Sequence, residues 1–206
     1  MGLGNTSRYI IGTLQKPVRT LEDLKGLKVR TPGGYVTKVF EALGVTPISM
    51  PSPEIFNSLE RGILDGYGLP YGPVTSLKLE DVTKYITELD LGTLLEAVIM
   101  NKRKYDSLPT ELKRIIDDAG ENARKNIPRA YEEQAEAAKE KINKKGIEVI
   151  QPSPEEVSRI EKRGMNVWKE WVKDMEGKRL PAREIMKAYL ELLPKNKKEV
   201  AYSAIQ

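Results

Sequence analysis

The sequence predicts an α/β fold in which a mostly parallel sheet is followed by long helices. Up to about residue 105, short apolar runs alternate with short helical segments and turn residues, which is the pattern of strands joined by crossover helices. Beyond that point the chain is charged and has helical periodicity. No apolar run approaches the ~20 residues that cross a bilayer, so the sequence predicts a globular protein.

The first half divides into short elements with recognisable start and stop residues. Thr20 is a helix N-cap, Gly26 and Gly44 end helices, and the Ser52-Pro53-Glu54 run has the form of a helix start. We predict strands at 9–14, 27–30, 45–50, 63–64 and 97–100, and helices at 20–26, 35–43 and 52–62.

The second half is dominated by one predicted helix over residues 109–145. About 37 residues at ~1.5 Å each would give a helix roughly 55 Å long, which Pro128 should kink or split. Gly146 ends this helix, and a strand follows at 147–150. Ser153 to Glu156 form a capping box that begins another helix, and a last helix covers 181–193.

The composition removes several classes of chemistry. The 206 residues include no Cys and no His, so thiol catalysis, thiolate metal sites and the commonest general base are excluded. We expect no metal and no cofactor. The net charge is only +4, and the basic residues alternate with acidic ones along the helices. This layout forms no basic stripe, so we do not expect nucleic-acid binding.

Candidate ligand-binding residues lie where strands lead into helices. In open α/β sheets, ligands bind beyond the carboxyl ends of strands, where helix N-termini offer free N–H groups. Arg30 ends one predicted strand and precedes a turn that contains Gly33. Ser52 follows the next strand, and the run from Tyr67 to Tyr71, including Leu69, follows the strand at 63–64.

Each candidate also has a structural interpretation. Arg30 could bind a carboxylate through two parallel hydrogen bonds, or it could be a surface strand end paired with an acid. The Ser52 hydroxyl, as an N-cap, would already be occupied by a backbone N–H. Tyr67, Leu69 and Tyr71 could line a pocket or shape a turn rich in Gly and Pro. The residues alone leave these alternatives open.

Three runs taken together resemble a known family. LEDLKGLKVRTPGG (21–34), ALGVTPISMPSPEIFNSLERGILDG (42–66) and AVIMNKRKYDSLPTELKRIIDDAGENA (97–123) are similar to the DctP-like solute-binding subunits of tripartite ATP-independent periplasmic (TRAP) transporters. The resemblance implies a type II periplasmic-binding-protein-like fold of two lobes, with a long helix crossing both. It also implies that Arg30, at the end of the LKGLKxR strand, binds the carboxylate of a small organic anion.

Two departures from that family bear on the ligand. Leu69 occupies a position where many members have Asn, and Ile10 stands where many have a second Arg, while Arg8 is expected to face elsewhere. Both changes make the predicted pocket less polar. We therefore expect a monocarboxylate with an apolar tail rather than a sialic acid or a dicarboxylate.

The resemblance also implies that this chain lacks the family's first lobe. Residues 8–105 would form the second α/β ligand-binding lobe, and 106–206 the interlobe helix, a return strand and the C-terminal helices. We expect an exposed interlobe face that favours self-association, TRAP permease subunits as partners, and a periplasmic or extracytoplasmic location, although no secretory signal stands at the start. The alternatives are an enzyme acting on a carboxylate and a helical protein-interaction module.

Overall fold

The centre of the molecule is a six-stranded mixed sheet. The computed structural model describes residues 2–5, 8–89, 91 and 95–192. The sheet has the order β4-β3-β5-β2-β6-β8, and all its strands run in one direction except β2. The α/β prediction with a mostly parallel sheet is therefore confirmed. The strands are β1 Gly2–Asn5, β2 Ile10–Thr13, β3 Lys28–Thr31, β4 Thr46–Ser49, β5 Gly66–Leu69, β6 Tyr85–Thr87, β7 Leu95–Val98 and β8 Glu148–Ile150.

Helices cover both faces of the sheet. The predicted helix over 109–145 is confirmed as α5, and Pro128 lies inside it without splitting it. The predicted helix over 20–26 is only a 3-10 turn, Leu21–Leu24. The α-helices are α1 Gly34–Ala42, α2 Ile55–Glu60, α3 Tyr71–Ser76, α4 Lys102–Asp106, α5 Thr110–Lys144, α6 Pro154–Gly177 and α7 Ala182–Leu192.

Each face of the sheet has its own apolar core. On one face, α2, α3 and the C-terminal half of α5 pack over the sheet, with Ile55, Val74 and Ile142 fully buried. On the other face, α1, α6 and the Leu21–Leu24 turn form a second cluster that includes Phe40 and Ile160. β8 returns from the second half of the chain to pair with β6, and the division at residue 105 stays a prediction.

β5 lies where the sequence predicted a loop. The predicted strand at 63–64 is wrong, because Ile63 is exposed and the strand begins at Gly66. Its glycines leave room for two rings: a Cβ on Gly68 would come within 2.9 Å of Phe40 Cε1, and one on Gly12 of β2 within 2.6 Å of Tyr67 Cε2. The strand therefore depends on neighbours across the sheet and not on its own β-propensity.

A second, two-stranded sheet lies apart from the first. β1 pairs antiparallel with β7, and β1 packs against α5. The adjoining surface is apolar and open: Val98 is 65% exposed and Ile99 75% exposed. A groove of about 660 Å³ runs between the segment from Val98 to Asp106 and one side of α5. Among the described residues, no helix is both long and apolar enough to cross a membrane.

The C-terminal half of α5 is fixed to the lobe by buried charge. Glu80, which is 3% exposed, forms an ion pair with Lys141 through Oε1, and its Oε2 has no hydrogen-bond partner among the described residues. One turn later, Lys145 pairs with Asp81. Because a buried carboxylate is costly without its partner, these contacts fix the end of α5 against the 3-10 turn Leu79–Asp81 that follows α3.

Candidate ligand-binding site

The candidate site lies at one edge of the six-stranded sheet. The carboxyl ends of β3, β4, β5, β6 and β8 meet there, together with the amino end of the reversed strand β2. The register opposite Arg30 places Ile48 on one side and Tyr67 on the other. Arg30 therefore stands among parallel strands, in the position where α/β sheets bind ligands.

Arg30 is a buried cation without a carboxylate partner. Arg30 is only 5% exposed. Among the described residues, no carboxylate lies within ion-pair distance of its guanidinium. Nε and Nη2 both donate to the Met50 carbonyl at 3.1 Å, and Nη2 also donates to Ser52 Oγ at 3.2 Å. The surface ion pair that the sequence left open is therefore not formed.

This burial has an electrostatic consequence. Removal of the guanidinium from water lowers the pKa of Arg30 from its usual value, and the nearby Tyr9 partly opposes that shift. Arginine remains protonated even so, because its ordinary pKa is above about 12. A permanent positive charge is thus held at the ligand edge of the sheet, and its acceptors among the described residues are neutral.

Ser52 is placed beside Arg30 and does not cap a helix. The N-cap of its 3-10 turn is Pro51, and the Ser52 side chain makes no capping hydrogen bond. The prediction that a backbone N–H occupies this hydroxyl is therefore wrong. The Ser52 hydroxyl instead accepts a hydrogen bond from the guanidinium of Arg30. The two residues are 22 positions apart in the sequence and meet because β3 and β4 end side by side.

Gly33 lies at the start of α1, close in sequence to Arg30. Its φ of 97° is in the region that favours glycine, and as the N-cap of α1 it has no side chain to cover the first-turn N–H groups. Gly33 therefore lies at the N-terminus of α1. Whether it contacts a ligand stays a prediction.

Tyr67 and Leu69 differ in what they offer a ligand. Tyr67 is fully buried, its hydroxyl is 2.9 Å from Thr83 Oγ1, and burial raises its pKa. It packs in the core, and we leave it out of the proposed site. Leu69 lies two residues nearer the edge on the same face, opposite Ile10, and both are buried and apolar. They make that part of the edge apolar.

A polar cluster at the same edge joins Tyr71, which the sequence had indicated, to Glu88 and Gln151, which it had not. The Tyr71 hydroxyl, at the start of α3, donates to Glu88 Oε1 at 2.7 Å, and Gln151 Nε2 donates to Glu88 Oε2 at 3.3 Å. Burial and then the bond to Glu88 raise the pKa of Tyr71. β6 and β8, which position Glu88 and Gln151, have three residues each. No pattern in so short a strand marks the residue after it.

The site has the chemistry of a receptor for an anion. Arg30 supplies charge and fixed donors, Ile10 and Leu69 supply an apolar wall, and no cluster of acidic residues that could bind a metal is found among the described residues. The arrangement can bind and orient a carboxylate.

Comparison with known proteins gives the same picture. The profile of the family described as bacterial extracellular solute-binding protein, family 7 (DctP), matches residues 3–174. The 2,3-diketo-L-gulonate-binding periplasmic protein of Escherichia coli is 30% identical over 135 residues, which are 65% of this chain and 41% of that protein. The chain thus spans about two fifths of the length of this curated relative.

Two solved structures are similar along most of this chain. One is a TRAP solute-binding protein from Rhodoferax ferrireducens with copurified benzoate (TM-score 0.82, 27% identity, 98% of this chain and 61% of that one). The other, from Bordetella bronchiseptica, has bound (R)- and (S)-mandelate (TM-score 0.80, 25% identity, 89% and 59%). All three relatives are solute-binding proteins, and the alternative of an enzyme has no counterpart among them.

Proposed function

The chain belongs to family 7 of the bacterial extracellular solute-binding proteins, the DctP family, and on that premise we propose that it is the carboxylate-binding lobe of a TRAP transporter subunit. The observation that carries the proposal is Arg30: a buried cation at the ligand edge that no described carboxylate neutralises. Because burying an uncompensated charge is costly, a bound anion is the partner that this arrangement favours.

We further propose that the ligand is a monocarboxylate with an apolar body. Leu69 and Ile10 are apolar residues at the same edge of the sheet as Arg30, and an apolar edge suits a ring or alkyl tail better than a second carboxylate. The two similar structures described above contain benzoate and mandelate, which are aromatic monocarboxylates. By analogy, the whole protein would act outside the cytoplasm, in the periplasm, and pass its ligand to the TRAP permease subunits.

The open apolar groove beside α5 is part of the same proposal. Exposed Val98, Ile99 and Ile115 would be covered in a complete two-lobed protein, and the chain spans 61% of the benzoate-binding relative. We propose that in isolation this surface, which the sequence predicted as an interlobe face, drives self-association. Light scattering tests this point, and a clean monomer at high protein concentration would contradict it.

Ligand binding is tested with a panel of organic acids and a charge-matched pair of variants. Isothermal titration and thermal shift compare benzoate, mandelate and succinate with the unaltered chain, Arg30→Met and Arg61→Met. We expect benzoate and mandelate to bind the unaltered chain. Arg30→Met should abolish that binding, while Arg61→Met, an exposed arginine in the same lobe, should retain it.

The two parts of the proposal fail separately. If only succinate binds, or stabilises most, the monocarboxylate preference is wrong. If Arg30→Met binds the acids as well as the unaltered chain does, then Arg30 is not the carboxylate-binding residue. Circular dichroism of both variants shows whether a loss of binding reflects a loss of fold.

A further inference from the structure

The hydrogen bonds of Arg30 leave part of its guanidinium free. A guanidinium carries five N–H donors. The Met50 carbonyl accepts hydrogen bonds from Nε and Nη2, and Ser52 Oγ accepts one from the other hydrogen of Nη2. No described group accepts from Nη1. A ligand that leaves these contacts in place can therefore accept hydrogen bonds from Nη1. It cannot form the paired hydrogen bonds to two guanidinium nitrogens, because Nε and Nη2 are already used.

The Ser52 hydroxyl has a hydrogen that no described group uses. Its Oγ accepts from Arg30 Nη2 at 3.2 Å, and a hydroxyl has one donor of its own besides its two acceptor positions. An O–H group that accepts from a cation becomes a better donor, because chained hydrogen bonds polarise one another. Ser52 is half-buried, so its hydroxyl is not lost in bulk water.

Resting on the proposed function, we infer that Ser52 is a direct ligand donor and that the carboxylate is held by two residues. One carboxylate oxygen accepts from Arg30 Nη1 and the other from Ser52 Oγ. The neighbouring Nη2, which links the two donors, fixes their spacing. The guanidinium keeps its bonds to the Met50 carbonyl throughout, so the site is formed before the ligand arrives.

This arrangement makes Ser52 a specificity residue. A carboxylate has two oxygens to satisfy both donors, whereas a carboxamide can satisfy them only through one oxygen and leaves its NH₂ group facing Nη1 or the hydroxyl. The same structure requires a hydroxyl at position 52, since an apolar side chain would leave one carboxylate oxygen unpaired in a half-buried site.

The test compares Ser52→Thr with Ser52→Val, two variants of nearly equal shape that differ by the hydroxyl. Benzoate is titrated into the unaltered chain and both variants, with benzamide as the uncharged probe. We expect Ser52→Thr to bind benzoate within about threefold of the unaltered chain. Ser52→Val should bind it about tenfold to a hundredfold more weakly, the usual effect of one lost hydrogen bond to a charged group.

A second measurement separates direct donation from positioning of Arg30. The Nε–H signal of Arg30 in nitrogen NMR reports its bond to the Met50 carbonyl. We expect this signal to be the same in the free unaltered chain and free Ser52→Val. If the signal moves in the free variant together with the loss of affinity, Ser52 only positions Arg30 and direct donation is refuted.

The remaining outcomes are equally distinct. Equal benzoate affinity of the Thr and Val variants refutes the role of Ser52 and leaves Arg30 as the proposed clamp. Failure of the unaltered chain to bind benzoate, mandelate or succinate at millimolar concentration refutes the proposed function itself, and with it this inference.

Discussion

Substitution of Gly12 by alanine should destabilise the protein severely, although it adds a single methyl group. That methyl would lie within 2.6 Å of Tyr67 Cε2, against an ordinary carbon–carbon contact of about 3.5–4.0 Å. The ring must retreat by about 1 Å. The Tyr67 ring is fully buried and its hydroxyl is hydrogen-bonded to Thr83, so the ring cannot move without displacing its neighbours.

The expected loss is about 1–3.5 kcal/mol. Overpacking costs about 1–3 kcal/mol and a lost Tyr67–Thr83 hydrogen bond about 1 kcal/mol, while the reduced freedom of the unfolded chain returns about 0.5–1 kcal/mol. For a chain of this size the melting temperature should fall by about 2–14 °C.

Differential scanning calorimetry of Gly12→Ala is compared with Gly164→Ala, whose added methyl meets no atom within 4 Å in the middle of α6. The control should gain about 0.5–1 kcal/mol. Adding Tyr67→Leu to Gly12→Ala should recover part of the loss, because the two sites are in contact. If the two alanine variants shift the melting temperature in the same direction, the packing explanation is refuted.

Three further predictions concern charge and backbone. Lys141→Met leaves Glu80 buried without its partner. The free energy of unfolding, measured by urea denaturation, should fall by about 2 kcal/mol or more, and an unchanged value would contradict this. Pro128→Ala restores a backbone N–H inside α5 and should raise the melting temperature. A lower melting temperature would show that the fold requires proline at this position. Burial raises the pKa of Asp23, but backbone N–H groups outweigh it and leave that pKa lowered. The contribution of Asp23 to the free energy of unfolding is therefore complete above the ordinary aspartate pKa and is lost as the pH falls through the lowered value. The free energy of unfolding of Asp23→Asn should differ most from that of the unaltered chain at neutral pH, and the difference should shrink as the pH falls below about 4. A difference independent of pH would contradict this.

Elements that depend on local signals were predictable from the sequence. The length of α5 follows from its periodicity, and Gly146 ends it with a φ of 70° as a glycine after a helix should. The Ser153 hydroxyl accepts from the Glu156 N–H, which is half of the predicted capping box. The position of Arg30 near the end of a strand was predictable because strand ends and helix starts both leave marks in the sequence.

Features that depend on distant partners were not predictable. Glu156 was expected to turn back to its own helix start, but its carboxylate accepts from the backbone N–H of Leu21, far along the chain. Ser52 likewise has the pattern of an N-cap and bonds to Arg30 instead. The Gly66–Leu69 strand has no β-branched residue, and only its neighbours in the sheet explain why it is extended.

The reversed strand β2 has a consequence for how the protein folds. It pairs Ile11 with Thr87, and β6 in turn pairs Tyr85 with Glu148, so the sheet joins segments that lie far apart in the sequence. The sheet therefore closes only after α5 has been made, and its contacts span much of the sequence. Such non-local topology folds slowly, in milliseconds to seconds. Until β8 has been made, the edge of β6 stays unpaired on the nascent chain. An unpaired strand edge is prone to aggregate, so we expect a chaperone to bind the chain before the ligand does.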